Sequence, residues 1–266
     1  MRVTFDTNTL DRAVRPARFP KDPRQSEYLK IHQALNAHQI SGFFCETLVV
    51  LEGIQNKDRS AVFGSTTVRP HRSESADAPG QHVVNLTLVV EQSQRQPLHP
   101  EVAARAQAAL AIGMRVLGAP RIGATRIEDP NHTVYMLEPD EALLAARLDK
   151  FMDAVSAIEA RGLGAAQGLA LARNFAQRDG VTEHWYRSLQ RAKDVHEERA
   201  VQRAVAEWAD ADSIAAHIGY GIDFFCTEDK GNSAGGAAIF DSTNRAWLTS
   251  TYGVKFITLT ELAAMI

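Results

Sequence analysis

The sequence predicts an α/β protein: three layers, α/β/α, with a central and mainly parallel sheet. Three observations carry this. Short apolar runs at 2–5, 40–44, 224–226 and 255–258 have the length and composition of buried strands. Segments of helical period separate them, the alternation that builds parallel sheets. Acids follow the first three runs directly or within a few residues, as Asp6, Glu46 and Asp229. In an open parallel sheet such positions share one edge.

The elements follow in order. Residues 2–5 alternate as a strand ending at Asp6. Residues 11–24 contain Pro16, Pro20 and Pro23 and read mostly as loop. Tyr28, Ile31 and Leu35 predict a helix over 26–37. A strand at 40–44 and a helix at 46–54 come next. Residues 57–80 are polar and read as a linker; 82–91 read as a strand. A helix is expected over 100–117, ended by Gly118 and Pro120. Further strands are expected at 121–127 and 133–138, around the turn Asp129-Pro130-Asn131. The α/β core therefore spans 1–56 and 139–266, and 57–138 reads as an inserted α+β, β-rich unit. Pro139-Asp140 opens a helix whose buried stripe is Leu144, Leu148, Phe151, Val155 and Ile158. Helices are expected at 165–177, at 183–209 with Thr182 as N-cap, and at 213–218, with a last one at 261–266.

Composition narrows the function classes. A net charge of −3 announces no global basic field. No run of 18 apolar residues exists, which argues against a membrane partner. An acid at position 6 interrupts any secretory apolar stretch, so a cytoplasmic protein is expected. Cys45 and Cys226 lack metal-site spacing and read as buried thiols. The nine histidines form no metal pattern, and His217 reads as a packing or surface residue. GNSAGGAAIF lacks the ending of a phosphate loop.

Asp6, Glu46, Asp212 and Asp229 are the candidate site. Four carboxylates in one pocket repel one another and require cations. Oxygen ligands without paired His or Cys favour Mg²⁺ or Mn²⁺. Phosphodiester hydrolysis is the natural chemistry of such a set. Each acid also has an ordinary structural reading. Asp6 and Asp212 suit N-caps, Asp229 a turn and Glu46 a solvated first helical turn.

The segments VTFDTNTL, ISGFFCETLVVLE, DADSIAAHIGYGIDFFCTEDK and GVKFITLTELAAM, in this order, resemble the successive motifs of toxin-like PIN-domain nucleases. The resemblance covers about 1–56 and 205–266. It implies a PIN-like fold and a metal-dependent endoribonuclease with Asp6, Glu46, Asp212 and Asp229 as metal-site acids. It implies Asn8 and Thr227 as polar supports, with Asp210 and Glu228 as secondary candidates. Glu52 and Asp210 lie close enough in sequence to Glu46 and Asp212 to compete for the same roles. Glu46 fits the strand-then-acid pattern better, and Asp212 correctly precedes Ile-Ala-Ala.

Two basic clusters are candidates for RNA contacts. Arg12, Arg15 and Arg18, with Lys21 and Arg24, follow the Asp6 loop. Arg95, Arg105, Arg115, Arg121 and Arg126 lie in the expected insertion. Cations beside an acidic site offset its repulsion of phosphate. Ordinary solvated surface is the alternative for both. The expected partners are an RNA substrate, an antitoxin-like protein inhibitor and a second copy of the chain. A non-catalytic PIN-like RNA- or protein-binding module is the alternative function. FDTNTL also resembles the Asp-x-Asp-x-Thr loop of haloacid-dehalogenase-like phosphatases, but Asn8 stands where that family needs an acid.

Overall fold

The computed structural model describes residues 1–55, 58, 66–78, 81–92, 98–119, 127, 129–231 and 238–266, with only the backbone described for 66–71, 73–78 and 81–92. In chain order the elements begin with β1 (Arg2–Phe5), α1 (Thr7–Val14), α2 (Gln25–Asn36), β2 (Ser41–Cys45) and α3 (Thr47–Val50). Next come β3 (Thr66–Ala78), β4 (Gln81–Gln92), α4 (Pro100–Ala111) and β5 (Arg115–Leu117). The helices α5 (Glu141–Ala160), α6 (Ala165–Asp179), α7 (Trp185–Ser188) and α8 (Val195–Tyr220) follow. The chain closes with β6 (Phe224–Cys226), α9 (Ser242–Tyr252), β7 (Phe256–Ile257) and α10 (Leu259–Met265).

Five strands form one all-parallel sheet in the order β5-β2-β1-β6-β7. Strand alternation sends successive side chains to opposite faces. Val3, Phe5, Phe44 and Val116 pack on one side with Leu10, Ile31, Leu35 and Ala109, from α1, α2 and α4. Phe43, Cys45 and Leu117 pack on the other with Phe151, Val155 and Ala215, from α5 and α8. Phe225 faces that same side, against Ile214 and Leu248. Helices therefore cover both faces, giving the three-layer α/β/α architecture. Phe5, Phe44 and Phe225 are fully buried, each contributing about 1.5–3 kcal/mol. No helix among the described residues is long and apolar enough to cross a membrane.

Several elements differ from expectation. The helix expected over 100–117 stops at Ala111, and Arg115–Leu117 joins the central sheet beside β2. Ala106 and Ala109 of α4 lie in the main core. The stretch 57–138 is thus not one insertion. Its hairpin β3–β4 forms a separate two-stranded sheet, and Pro100–Leu117 belongs to the core. The polar stretch taken as linker supplies β3, because it pairs along its length with the apolar β4. The strand expected at 133–138 is reduced to one bridge, Val116 to Tyr135. Residues 121–126 lie outside the described residues.

Loop was expected from Asp11, but α1 reaches Val14 and Pro16 opens a 3-10 turn. The helix expected over 183–209 is α7 and a separate α8, and α8 runs unbroken through 213–218. Its N-cap is Asp194, which accepts from His196 N and Glu197 N, so Asp212 caps nothing. Phe151, Val155 and Ile158 of α5 are buried as the stripe predicts, whereas Leu144 and Leu148 are each 38% exposed. The first turns of α5 overhang the core. Gly219 sets the spacing of α5 on α8: a Cβ there would stand 3.1 Å from the Arg147 carbonyl and 3.2 Å from the Phe151 Cβ.

Candidate functional site

The carboxyl end of β1 delivers Asp6 to the expected sheet edge. Its amide donates to the Cys226 carbonyl at 3.0 Å, extending the β1–β6 pairing by one residue. Asp6 then caps α1, its Oδ1 accepting from Thr7 N at 2.7 Å. Oδ2 accepts from Asn8 Nδ2 at 2.5 Å and from Thr227 Oγ1 at 2.6 Å. Thr227 also accepts from Asn8 Nδ2 and from Asp229 N, and Asn8 Oδ1 accepts from Glu228 N. Asp6, Asn8, Thr227 and the backbone of Asp229 therefore form one hydrogen-bonded unit across β1 and β6. Asn8 and Thr227, the residues implied as polar supports, both donate to Asp6 Oδ2.

Beside this unit lies a cavity of about 440 Å³. Asp6, Asp11, Glu52, Asp210 and Asp229 line it, together with Arg12 and Arg105. Glu52 comes from the turn after α3, and its Oε2 accepts from Thr7 Oγ1 at 2.5 Å. Asp210 projects from α8. Burial raises the Asp6 carboxyl; the Thr227 hydrogen bond opposes this, the charges of Glu52 and Asp229 add to it, and it stands at about 7. Asp210 is raised well above the usual carboxylate range, first by burial and then by Asp6, Glu52, Glu207 and Asp229. Glu207 is also raised, chiefly by burial, although its Oε2 accepts from Ile239 N at 3.0 Å. The cavity therefore holds mutual repulsion among acids.

Two of the four expected acids are elsewhere. Glu46 is buried on the far side of the β2 terminus, where its Oε1 accepts from Ala119 N at 2.8 Å. The buried Tyr135 hydroxyl faces it without a hydrogen-bond geometry, and the Arg147 charge lies nearby. Burial raises its carboxyl, and these groups oppose the rise. Asp212 is 2% exposed, and its Oδ2 accepts from Trp208 Nε1 at 3.1 Å, one helical turn back. Neither lines the cavity. Glu228 is engaged by Arg24 Nη1 at 2.9 Å and Leu259 N at 3.2 Å.

The basic residues divide as well. Arg12 lines the cavity, donates to the Asn8 carbonyl at 2.8 Å and stacks 5.1 Å over Phe19, another lining residue. Arg15 pairs with Asp11 at 2.5 Å and with Glu101 at 3.4 Å. Arg18 pairs with Glu101 and, at 3.7 Å, with Asp11. Arg15 and Arg18 are thus neutralised outside the cavity lining. Arg105, read from sequence as part of an insertion, reaches the cavity from α4 and donates to the Thr7 carbonyl at 3.4 Å. The Nε atoms of Arg12 and Arg105 are buried without a hydrogen bond, and Arg12 Nε is ion-paired with Asp22 Oδ2 at 3.9 Å. Arg115 is exposed at the start of β5, the opposite end of the sheet. Arg95, Arg121, Arg126 and most of the loop after Gly231 lie outside the described residues.

The donor chemistry of the cavity suits a hard divalent cation. Every candidate ligand is a carboxylate, and two carboxyls are raised partly by their neighbours' charge. The present spacing is open: among the described residues, no three acid, His or Cys side chains are grouped closely enough to hold one ion. Comparison with protein-family models, curated proteins and solved structures gives no match to the chain.

Proposed function

We propose that the chain is a Mg²⁺- or Mn²⁺-dependent endoribonuclease, as the PIN-domain resemblance implies, with Asp6, Glu52, Asp210 and Asp229 as its acids. The observation that carries this reading is the meeting of these four carboxylates in one cavity at the carboxyl edge of a parallel sheet. Glu52 and Asp210 take the places that the motif order alone gives to Glu46 and Asp212. A bound divalent ion would supply a water of lowered pKa and stabilise charge on the transferring phosphoryl group. Thr227 and Asn8 hold Asp6 in one orientation through Oδ2. Glu52, Asp210 and Asp229 would have to close on Asp6 to complete a ligand set. Arg12 and Arg105 bring two guanidinium groups to the cavity lining, suited to phosphate oxygens, and Arg12 also lies 3.9 Å from the Asp22 carboxylate. Phe19 offers a ring at the same wall, on which an unpaired base can stack.

The open spacing of the acids favours a second reading, a non-catalytic module that binds single-stranded RNA in the same cavity. One experiment separates the two. Purified protein is mixed with single-stranded RNA under a Mn²⁺ series and under EDTA, with Asp6→Asn in parallel. The nuclease reading expects cleavage with metal and none with EDTA. It expects Asp6→Asn to lose at least about a hundredfold in rate while retaining its fold. RNA bound and never cut supports the module. RNA neither bound nor cut ends both.

A further inference from the structure

The hairpin of β3 and β4 stands apart from the central sheet as a two-stranded sheet. Its register sets Val68 opposite Val90, Pro70 opposite Leu88, Arg72 opposite Leu86 and Glu74 opposite Val84. Opposed residues of an antiparallel pair share a face. On β4 one face therefore carries Val84, Leu86, Leu88 and Val90, opposite Val68, Pro70, Arg72 and Glu74 of β3, while Val83, Asn85, Thr87 and Val89 fall on the other. A lone two-stranded hairpin is marginal in water, and three or more strands with an apolar face are independently stable.

The two outer edges differ. Along β3 stand Arg69, Arg72, Glu74 and Asp77, with Pro70, which has no amide to donate. Charges and proline are how natural edge strands resist pairing. From Val83 to Val90, β4 carries neither a charge nor a proline. Among the described residues no strand lies beyond it. An uncharged β-branched run with an unpaired backbone is a template for another strand.

We propose that β4 pairs antiparallel with β4 of a second copy, about a two-fold axis through Leu86. The result is a continuous four-stranded sheet in the order β3-β4-β4-β3. The sequence itself names this occupant, because a two-fold contact must be self-complementary. With the axis at Leu86, Leu86 meets its own copy, Val84 meets Leu88, Val83 meets Val89 and Asn85 meets Thr87. Apolar meets apolar and polar meets polar through this whole stretch; only the outlying His82 and Val90 make a mixed pair. Moving the axis to Thr87 sets Val83 against Glu91 and Asn85 against Val89. Moving it to Asn85 sets Val83 against Thr87 and Gln81 against Val89. Matched cross-strand pairs fix register.

The test is the mass of the full chain in solution by light scattering over a dilution series, without nucleic acid. Wild type is expected at twice the chain mass. Leu86→Lys and Leu86→Asp, which each place like charges face to face, should each weaken association by roughly tenfold or more. An equal mixture of the two should restore the dimer, because position 86 meets itself. Leu86→Cys should be captured by a short bis-maleimide, whereas Val68→Cys, on the far strand, should not. The native Cys45 and Cys226 are buried and leave this readout clean. A monomeric wild type overturns the proposal. So does a dimer that survives both charge variants, a mixture that fails to reassociate, a Val68→Cys chain that links as well as Leu86→Cys, or association that appears only when RNA is added.

Discussion

Asp210 and Asp212 lie two residues apart on one helix and meet opposite surroundings. Asp210 faces the cavity, where four other acids raise its carboxyl on top of its burial. Asp212 is buried more completely, yet the Trp208 indole donates to it. Glu52 and Glu46 differ in place after β2. Glu52 lines the cavity beside Asp6 and accepts from Thr7 Oγ1, whereas Glu46 is enclosed away from it with the Ala119 amide and the Arg147 charge. A buried acid with donors supports the fold. An acid whose neighbours are other acids is a cost to the fold, and its natural compensation is a ligand.

This contrast is broken most directly by activity. If the cavity pair serves the chemistry, Asp210→Asn and Glu52→Gln each lower metal-dependent RNA cleavage at least about a hundredfold. Asp212→Asn and Glu46→Gln, assayed as folded protein, stay within about tenfold of wild type. Cleavage rates measured at saturating Mn²⁺ decide this. Loss confined to Asp212→Asn and Glu46→Gln would reverse the assignment.

The two pairs differ in how legible they are. Asp6, Asn8, Thr227 and Asp229 follow strands within a few residues, so alternation and strand ends suffice to bring them together. The choice between Asp210 and Asp212 depends on helical phase, since two residues turn the side chain by about 200°. Phase cannot be set when the helix start is misplaced. Thr182 and Asp212 both resemble caps, whereas the cap that starts α8 is Asp194. One available signal was the spacing of Trp208 and Asp212, four apart and so on one face, which gives that acid an indole partner. Glu52 was hidden because α3 ends at Val50 and a turn, not a longer helix, carries the chain back to Thr7. The fold class was legible because buried parallel strands are short apolar runs. The place of Arg115–Leu117 in the central sheet was not, because three residues after a helix give no periodicity.

Stability sharpens the same contrast, with opposite signs expected. Asp212→Ala and Glu46→Ala remove the carboxylate acceptors of the Trp208 indole N–H and the Ala119 amide. Each should cost about 1–3 kcal/mol in urea unfolding. Asp210→Asn removes a charge from among acids and should leave the metal-free protein as stable as wild type, or more so. Added Mn²⁺ should stabilise wild type by about 2.7 kcal/mol at 100-fold above its dissociation constant, and Asp210→Asn by less. A destabilised metal-free Asp210→Asn would place Asp210 with the supporting acids.

The smallest effect concerns a buried group that is compensated by staying neutral. His217 sits on α8 against the middle of β1, its Nδ1 3.0 Å from Thr4 Oγ1 and its ring edge-on to Phe225. Burial lowers it to about 3; Asp223 opposes this and Arg2 adds to it. An unfolded histidine titrates near 6.5, so the unfolded chain takes up the proton first as pH falls. The stability due to neutral His217 is therefore complete above about pH 6.5 and is lost progressively from there toward about 3. The limiting slope is about 1.4 kcal/mol per pH unit. His217→Gln retains a polar partner for Thr4 and removes the titration. Comparing the two proteins cancels the carboxylates they share, including those of the cavity. Between about pH 6.5 and 5.5 wild type should lose roughly 1 kcal/mol relative to His217→Gln in urea unfolding. Curves that stay parallel from pH 7 to 5 would mean that His217 takes up its proton in the folded state as readily as in the unfolded one. The neutral Thr4–His217 contact would then be no part of what holds α8, and with it Asp210, in phase against the sheet.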